Sequence, residues 1–206
     1  YWDAMTAAAG IDHIAPDQRA DAVLHALRNA VQLRKLGDVN VGVFLSGGVD
    51  SSTNAALFSE GEDRSVRTFS IGYDADYDSY PSELPFARQM AESVGASHHE
   101  RLLSVDDLIR FVPEMAYLQD EPIADPVCIP LYYVSKLARD NGVTVCQVGE
   151  GADELFFGYP QWHDRLRMQR ALDWPPLAAG GRWLMERMGR TGGRPYEWLR
   201  RAASAQ

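Results

Sequence analysis

Cysteine and lysine are scarce in this 206-residue chain, which has two of each: Cys128 and Cys146, Lys35 and Lys136. The two cysteines stand 18 residues apart, without the short spacing of metal ligands, so a structural zinc site is not expected. Both lie in apolar segments and read as buried free thiols behaving as small hydrophobes. No stretch approaches the roughly 18 uninterrupted apolar residues that a membrane-spanning helix needs. The start, Tyr1-Trp2-Asp3, lacks the basic and then apolar pattern of a signal peptide, so the cytoplasm is the expected compartment and no membrane partner is expected. Internal repeats and low-complexity tracts are also missing.

What is present is enough apolar sequence, 46% of residues, for one substantial core and a small appendage. The net charge of -9 argues against a nucleic-acid backbone as the main partner, because phosphate binding normally demands a basic surface. The charge is uneven: residues 1–160 hold 11 basic against 25 acidic residues, and residues 161–206 hold 9 arginines against 4 acids. A boundary near Pro160 follows, with the basic tail read as a solvated helical face. The expected organisation is a helical lead-in over 1–37, a core over 38–160 and a basic helical segment over 161–206.

Apolar spacing predicts a helix from Asp17 to Leu36, ended by Gly37. Val39 to Leu45 is mostly apolar and β-branched, which suits a strand covered on both faces. Further strands are expected at Val66 to Ile71, His98 to Leu103 and Val143 to Val148, and helices at Asp50 to Glu60, Glu83 to Val94 and Leu131 to Asp140. Ser104 with Asp107 forms a capping box for a helix over Val105 to Tyr117, which Pro113 should kink or split. Pro122, Pro126 and Pro130 predict an extended loop. This alternation implies an α/β, Rossmann-like fold, with a mostly parallel sheet flanked by helices and a helical C-terminal tail.

In such a sheet ligands bind beyond the carboxyl ends of the strands, so the segments after Leu45 and Val148 matter most. The first is Ser46-Gly47-Gly48-Val49-Asp50-Ser51-Ser52, a glycine turn with three hydroxyls that opens a helix. Backbone N–H groups at a helix start, beside glycines that let an anion approach, make a phosphate cradle. The lysine of a Walker loop is absent, which favours a cradle used for a cleavage other than γ-phosphoryl transfer. The second segment, Gly149-Glu150-Gly151-Ala152-Asp153-Glu154-Leu155-Phe156-Phe157-Gly158-Tyr159, crowds three carboxylates into a glycine-rich turn. Such charges repel one another unless a cation or substrate uses them. His98 and His99 are adjacent on a strand and point to opposite faces, so they read as ordinary strand positions; Glu83 and Glu92 read as solvated helix carboxylates.

The string Leu45 to Ser52 resembles the pyrophosphate loop of the ATP pyrophosphatase superfamily. Together with Asp120-Glu121-Pro122-Ile123-Ala124-Asp125, Phe69-Ser70-Ile71-Gly72, Ser97-His98-His99-Glu100 and Gly149 to Tyr159, it resembles the synthetase domain of the glutamine-hydrolysing asparagine synthetase family. The likeness runs from about Tyr1 to Trp162. It implies an adenine nucleotide alpha-hydrolase-like fold, with Ser46, Gly47, Gly48, Asp50, Ser51 and Ser52 as the pyrophosphate cradle and Leu45, Ile71, Val148 and Gly149 as nucleotide contacts. It also implies Asp50 and Asp153 as Mg²⁺ ligands, and Glu150 as the catalytic carboxylate that serves adenylation and the nitrogen nucleophile. Val148 departs from the serine of many relatives.

ATP, Mg²⁺, aspartate or another carboxylate, and ammonia are therefore the expected cofactors and substrates. A glutaminase domain or subunit is expected outside this chain, since the family places the cysteine nucleophile for glutamine hydrolysis at the start of a separate amino-terminal domain and residue 1 here is tyrosine. Neither lysine follows Gly149 to Gly158, where relatives place a phosphate-contacting lysine, so the chain reads as part of a longer enzyme. A homodimer is left open. So are three alternatives: an amidotransferase for another carboxylate, a tRNA-modifying enzyme that adenylates a nucleobase, and a silent ATP-binding module.

Overall fold

The computed structural model describes residues 3, 14–74, 82–121, 123 and 125–173. The chain divides into two compact units, Tyr1–Glu150 and Gly151–Gln206. The first opens with a 3₁₀ turn, Pro16–Gln18, leading into helix α1, Arg19–Leu33. Gly37 does not end this helix. Arg34 already closes it by donating to the carbonyls of Val31 and Gln32, and Leu33 and Leu36 are 68% and 80% exposed, so no core rewards another turn.

The sheet has four strands: β1, Val41–Phe44; β2, Arg67–Tyr73; β3, Ser97–Leu103; and β4, Val145–Gln147. All pairings are parallel, in the spatial order β3-β2-β1-β4. Between them run α2, Val49–Ser59; α3, Leu84–Ser93; α4, Val105–Leu118; and α5, Cys128–Asp140. Alternation along β1 places Val43 and Leu45 in one core cluster with Ala55, Leu57, Phe58, Ala87 and Ala91 from α2 and α3. Phe44 packs to the other face, against Phe69 and the α5 residues Val134 and Ala138. Both faces are thus covered by helices, as the β-branched strand composition requires. A third cluster joins Leu103, Phe111 of α4 and Tyr133 of α5.

The split that Pro113 could cause does not occur: helix α4 is continuous through it. Its start is held by the full capping box, with Asp107 N–H donating to Ser104 Oγ at 3.1 Å and Ser104 N–H donating to the Asp107 carboxylate at 2.9 Å. Phe111 buries its inner face, so the one lost hydrogen bond is tolerated. Pro130 does not extend a loop either. It stands in the first turn of α5, where an N–H would lack an intrahelical partner in any case. Pro122 lies outside the described residues. Both cysteines are free and half-buried rather than fully buried, and desolvation pushes the Cys146 thiol up to about 11.

The second unit holds α6, Ala152–Phe156, and α7, Pro160–Asp173. Gly151 and Phe157 bracket α6 in left-handed backbone, and the Phe157 ring meets Trp162 edge-on at 5.7 Å between centroids. No helix among the described residues is long and apolar enough to cross a membrane.

Candidate functional site

From β1 the chain steps outward to β2 and β3, then returns to the opposite side of β1 for β4. The direction of winding reverses between β1 and β4, and in an open parallel sheet the crevice beyond the carboxyl ends at such a point is where ligands bind. The segments after β1 and β4, singled out by sequence, both emerge there, and they touch. A Cβ built on Gly149 would lie 2.7 Å from the carbonyl carbon and oxygen of Asp50 and 2.9 Å from the nitrogen of Ser51. Only glycine lets the end of β4 pass so close to the first turn of α2.

Between them the loop Ser46 to Ser52 is held by its own hydroxyls. Ser46 N–H donates to Ser51 Oγ at 3.2 Å, Gly48 N–H donates to Ser46 Oγ at 3.2 Å, and the two hydroxyls are 2.9 Å apart. Ser51 Oγ in turn donates to the Gly48 carbonyl at 3.2 Å. The hydroxyls are consumed inside the loop, while α2 carries no side-chain cap. The N–H groups of Val49, Asp50 and Ser51 therefore have no intrahelical partner, and the helix dipole adds positive potential at that end. Ser52 N–H makes the first helical bond, to Gly48 at 3.0 Å. Such an arrangement binds anions.

Gly47 has φ of +95°, a conformation that favours glycine, and a Cβ there would meet the Glu83 carbonyl at 2.6 Å and the Ala87 nitrogen at 2.9 Å. The loop is therefore wedged against the start of α3. Glu83 keeps an exposed side chain, as expected, but its carbonyl receives Phe86 and Ala87 N–H and backs the loop. Sequence reading missed this contact, which only the packing of α3 reveals.

Beside the loop lies a cavity of about 250 Å³, lined by Leu45, Ser46, Ile71, Tyr73, Glu83 and the α5 residues Pro130, Leu131 and Val134, among others. The α5 wall was invisible to a reading that made Pro130 part of a loop. Along the cavity floor, the β1 ladder ends at Phe44 opposite Phe69, with one more bond from Leu45 N–H to the Phe69 carbonyl at 2.9 Å. Strand β2 runs on to Tyr73, and among the described residues its strand partner beyond Phe69 is β3. Because backbone groups alternate sides along a strand, the N–H and C=O of Ile71 turn, like those of Phe69, toward the side that β1 has left. A donor and an acceptor are thus presented together at an apolar cavity.

Among the expected site residues, Leu45, Ser46, Gly47, Gly48, Asp50, Ser51, Ser52, Ile71, Val148 and Gly149 all belong to the first unit. Val148 is 48% exposed and Glu150 is exposed. Asp50 is half-buried in the first turn of α2, and among the described residues its carboxylate makes no hydrogen bond or ion pair. Asp153 belongs to the second unit, where it stands in the first turn of α6. Gly158 returns against it: a Cβ there would overlap the Asp153 carboxylate, and Gly158 N–H donates to the Asp153 carbonyl at 3.0 Å. Among the described residues no three His, Cys, Asp or Glu side chains form a metal centre. The Asp50 carboxylate offers the hard oxygen donors that a cation such as Mg²⁺ takes.

His98 and His99 do point to opposite faces. His98 bridges Thr68 Oγ1 at 2.8 Å and Glu100 at 2.9 Å, and His99 stacks on Phe69 at 5.4 Å between centroids.

Residues 22–205 match the asparagine synthase family. A putative glutamine-hydrolysing asparagine synthetase of Mycobacterium tuberculosis is 37% identical over 176 residues, which cover 85% of this chain and 26% of that protein. Asparagine synthetase [glutamine-hydrolyzing] 1 of Bacillus subtilis is 36% identical over 153 residues, 74% of this chain and 23% of its own length. The chain thus spans about a quarter of the length of the curated relatives it matches. Among solved structures, an NH3-dependent NAD synthetase from Campylobacter jejuni, in complex with a nitrate ion, aligns over 68% of this chain and 60% of its own with a TM-score of 0.43 and 16% identity. With a family match that reaches from α1 almost to the last residue, and both sequence signatures at the ends of neighbouring strands, the chain belongs to the asparagine synthase family.

Proposed function

We propose that this chain is the ATP-dependent, amide-forming part of a carbon–nitrogen ligase of the asparagine synthetase type. The observation that carries the reading is an apolar cavity with the paired backbone groups of Ile71, opening beside the uncapped start of α2 at one end of the sheet. Adenine fits the cavity, with its amino group donating to the Ile71 carbonyl and a ring nitrogen accepting from the Ile71 N–H. The β- and γ-phosphates lie over the first turn of α2, leaving the α-phosphate open to attack. The side-chain carboxylate of aspartate attacks that phosphorus and pyrophosphate leaves, giving a β-aspartyl-adenylate. Ammonia then attacks the acyl carbon, AMP departs, and asparagine is formed.

The first turn of α2 stabilises charge that moves onto the departing pyrophosphate, because its N–H groups are already oriented before reaction. Mg²⁺, held by Asp50 and by resemblance Asp153, would offset the remaining phosphate charge. Glu150, exposed at the end of β4, accepts a proton from the attacking nitrogen. Because the relatives are named glutamine-hydrolysing, we take the ammonia to come from a glutaminase domain or subunit.

Titration calorimetry with Mg-ATP and Mg-GTP tests the base-binding step. Guanine presents an acceptor and a donor where adenine presents a donor and an acceptor, so both Ile71 bonds would be mismatched at about 1–3 kcal/mol each. Binding of ATP tighter than GTP by on the order of a hundredfold is expected, and equal affinities refute the assignment. Labelled pyrophosphate exchange with aspartate and other single amino acids then identifies the acceptor. Exchange with no amino acid would remove the ligase reading.

A further inference from the structure

The segment Ser97 to Glu100 has no part in the reaction just described, yet its side chains form a continuous polar chain from the surface of α3 to the buried centre of the sheet. Arg88 of α3 grips Glu100 with a fork: Nε to Oε1 at 2.8 Å, Nε to Oε2 at 3.0 Å and Nη2 to Oε2 at 2.7 Å. Glu100 Oε1 also meets His98 Nε2 at 2.9 Å, and His98 Nδ1 meets Thr68 Oγ1, wholly buried in β2, at 2.8 Å. A neutral imidazole serves both ends, since Nε2–H donates to the carboxylate while Nδ1 accepts from the threonine hydroxyl.

The location gives this chain a consequence. Arg88 follows Ala87, whose nitrogen is one of the atoms pressed against Gly47. Glu100 is the register partner of Ser70, and Ser70 Oγ donates to the Leu45 carbonyl immediately before the loop. The fork therefore ties the start of α3 to the sheet at the level where the loop leaves β1. The buried contacts of α3 are mostly small: they are Leu84, Ala87 and Ala91, two of which carry a single methyl group, with Met90 partly buried beside them. Small residues allow close approach but little interlocking against sliding along the strand.

We propose that Arg88 and Glu100, steadied by His98, are positioning residues that hold the first turn of α3 against Gly47 and so set the geometry of the phosphate loop. The affinity consequence rests on the nucleotide reading above; the loop geometry does not. In the 206-residue chain, Arg88→Met, Arg88→Lys and Glu100→Gln are compared by thermal melting, hydrogen exchange of peptides covering 46–52 and 84–88, and steady-state kinetics with Mg-ATP. Arg88→Met should melt cooperatively, exchange faster in both peptides, and raise Kd and KM for ATP about fivefold, near the ceiling for a partly exposed ion pair, with kcat within about twofold. Arg88→Lys should recover part of the loss, because an ammonium keeps the charge but not the fork. Arg88→Met combined with Glu100→Gln should be no worse than either alone.

Unchanged exchange at 46–52 in Arg88→Met overturns the proposal, whatever happens to melting. Lower melting temperature with unaltered loop exchange would likewise make the fork merely structural. If the unmodified chain binds no ATP, the nucleotide reading fails, while the exchange data still decide whether Arg88 positions the loop.

Discussion

Gly47, Gly48 and Gly149 stand within one small region, and replacing each with alanine should give three different results. At Gly48 φ is -68°, open to any residue, and the nearest atom to a new Cβ is Ser46 Oγ at 3.3 Å, a hydroxyl able to give by a few tenths of an ångström. At Gly149 the Cβ would sit 2.7 Å from backbone atoms of Asp50, so the end of β4 and the start of α2 must separate by about 0.7 Å to restore ordinary contact at 3.4 Å. Overpacking of that kind costs roughly 1–3 kcal/mol. At Gly47 a similar clash with α3 adds to a left-handed backbone that costs an L-residue roughly 1–2 kcal/mol, for a total of about 2–5 kcal/mol. A sum of that size is a large fraction of the 5–15 kcal/mol that holds a typical domain, so the loop will rearrange before the domain unfolds. Expressed as ATP affinity, the order should be Gly48→Ala within about threefold of the parent, Gly149→Ala roughly 5- to 150-fold weaker, and Gly47→Ala weaker still. Calorimetry with Mg-ATP, paired with thermal melting, measures both destinations of the strain. Equal affinities for Gly47→Ala and Gly48→Ala at equal melting temperature would refute the packing of the loop against α3.

Asp50→Asn and Asp153→Asn should each weaken Mg²⁺-dependent pyrophosphate exchange strongly while weak ATP binding persists in excess EDTA; undiminished exchange in either variant removes that residue from the metal site. Glu150→Gln should keep ATP affinity and lose amide formation, and a collapse of affinity in calorimetry would give Glu150 a structural or metal role instead. Burial lowers the His98 pKa from 6.5 despite the opposing pull of Glu100, and Arg88 holds the Glu100 carboxyl below 4.5. The stability due to neutral His98 is present above pH 6.5 and is lost as pH falls through its lowered folded value; that due to Glu100 is present above 4.5 and is lost below it. Melting temperature should therefore fall in two steps on acidification, and His98→Gln should abolish the first; an unaltered profile in that variant contradicts the assignment.

Strand and helix alternation, and the position of the segments after Leu45 and Val148 at strand ends, are legible because both are local: β-branched runs, glycine turns and a helix start lie in consecutive residues. Boundaries were less legible. The sequence signal ran α1 to Leu36, where the decisive fact is that Leu33 and Leu36 find nothing to pack against. Pro130 looked like a loop residue because its tolerance depends on standing in the first turn of α5, which only Cys128 and Ile129 joining that helix decide. The contact between Gly47 and Glu83 joins residues 36 apart and leaves no trace in either segment. The cavity wall on α5 is equally non-local. The capping box of Ser104 and Asp107, by contrast, was readable and is formed in full, because its geometry closes within four residues.

Unequal strand lengths explain why backbone, more than side chains, is offered at the crevice in the first unit. Strands β2 and β3 have seven residues each, whereas β1 has four and β4 three. Where β1 stops, β2 runs on beside β3, and on the proposed reading its other edge at Ile71 provides a donor and an acceptor while the departing chain provides the phosphate loop. On that reading base and phosphate are both met by backbone, so a change in the side chain of Val148 should touch neither contact. The hydroxyls of Ser46 and Ser51 are spent on holding the shape of the loop, as their bonds to one another and to Gly48 require. Substitutions that keep the backbone path, such as Ser46→Thr, should therefore disturb binding less than any Cβ added at Gly47 or Gly149. On the same reading, chemistry that backbone cannot supply, proton transfer and cation binding, would fall to the carboxylates at the strand end and the helix start, Glu150 and Asp50.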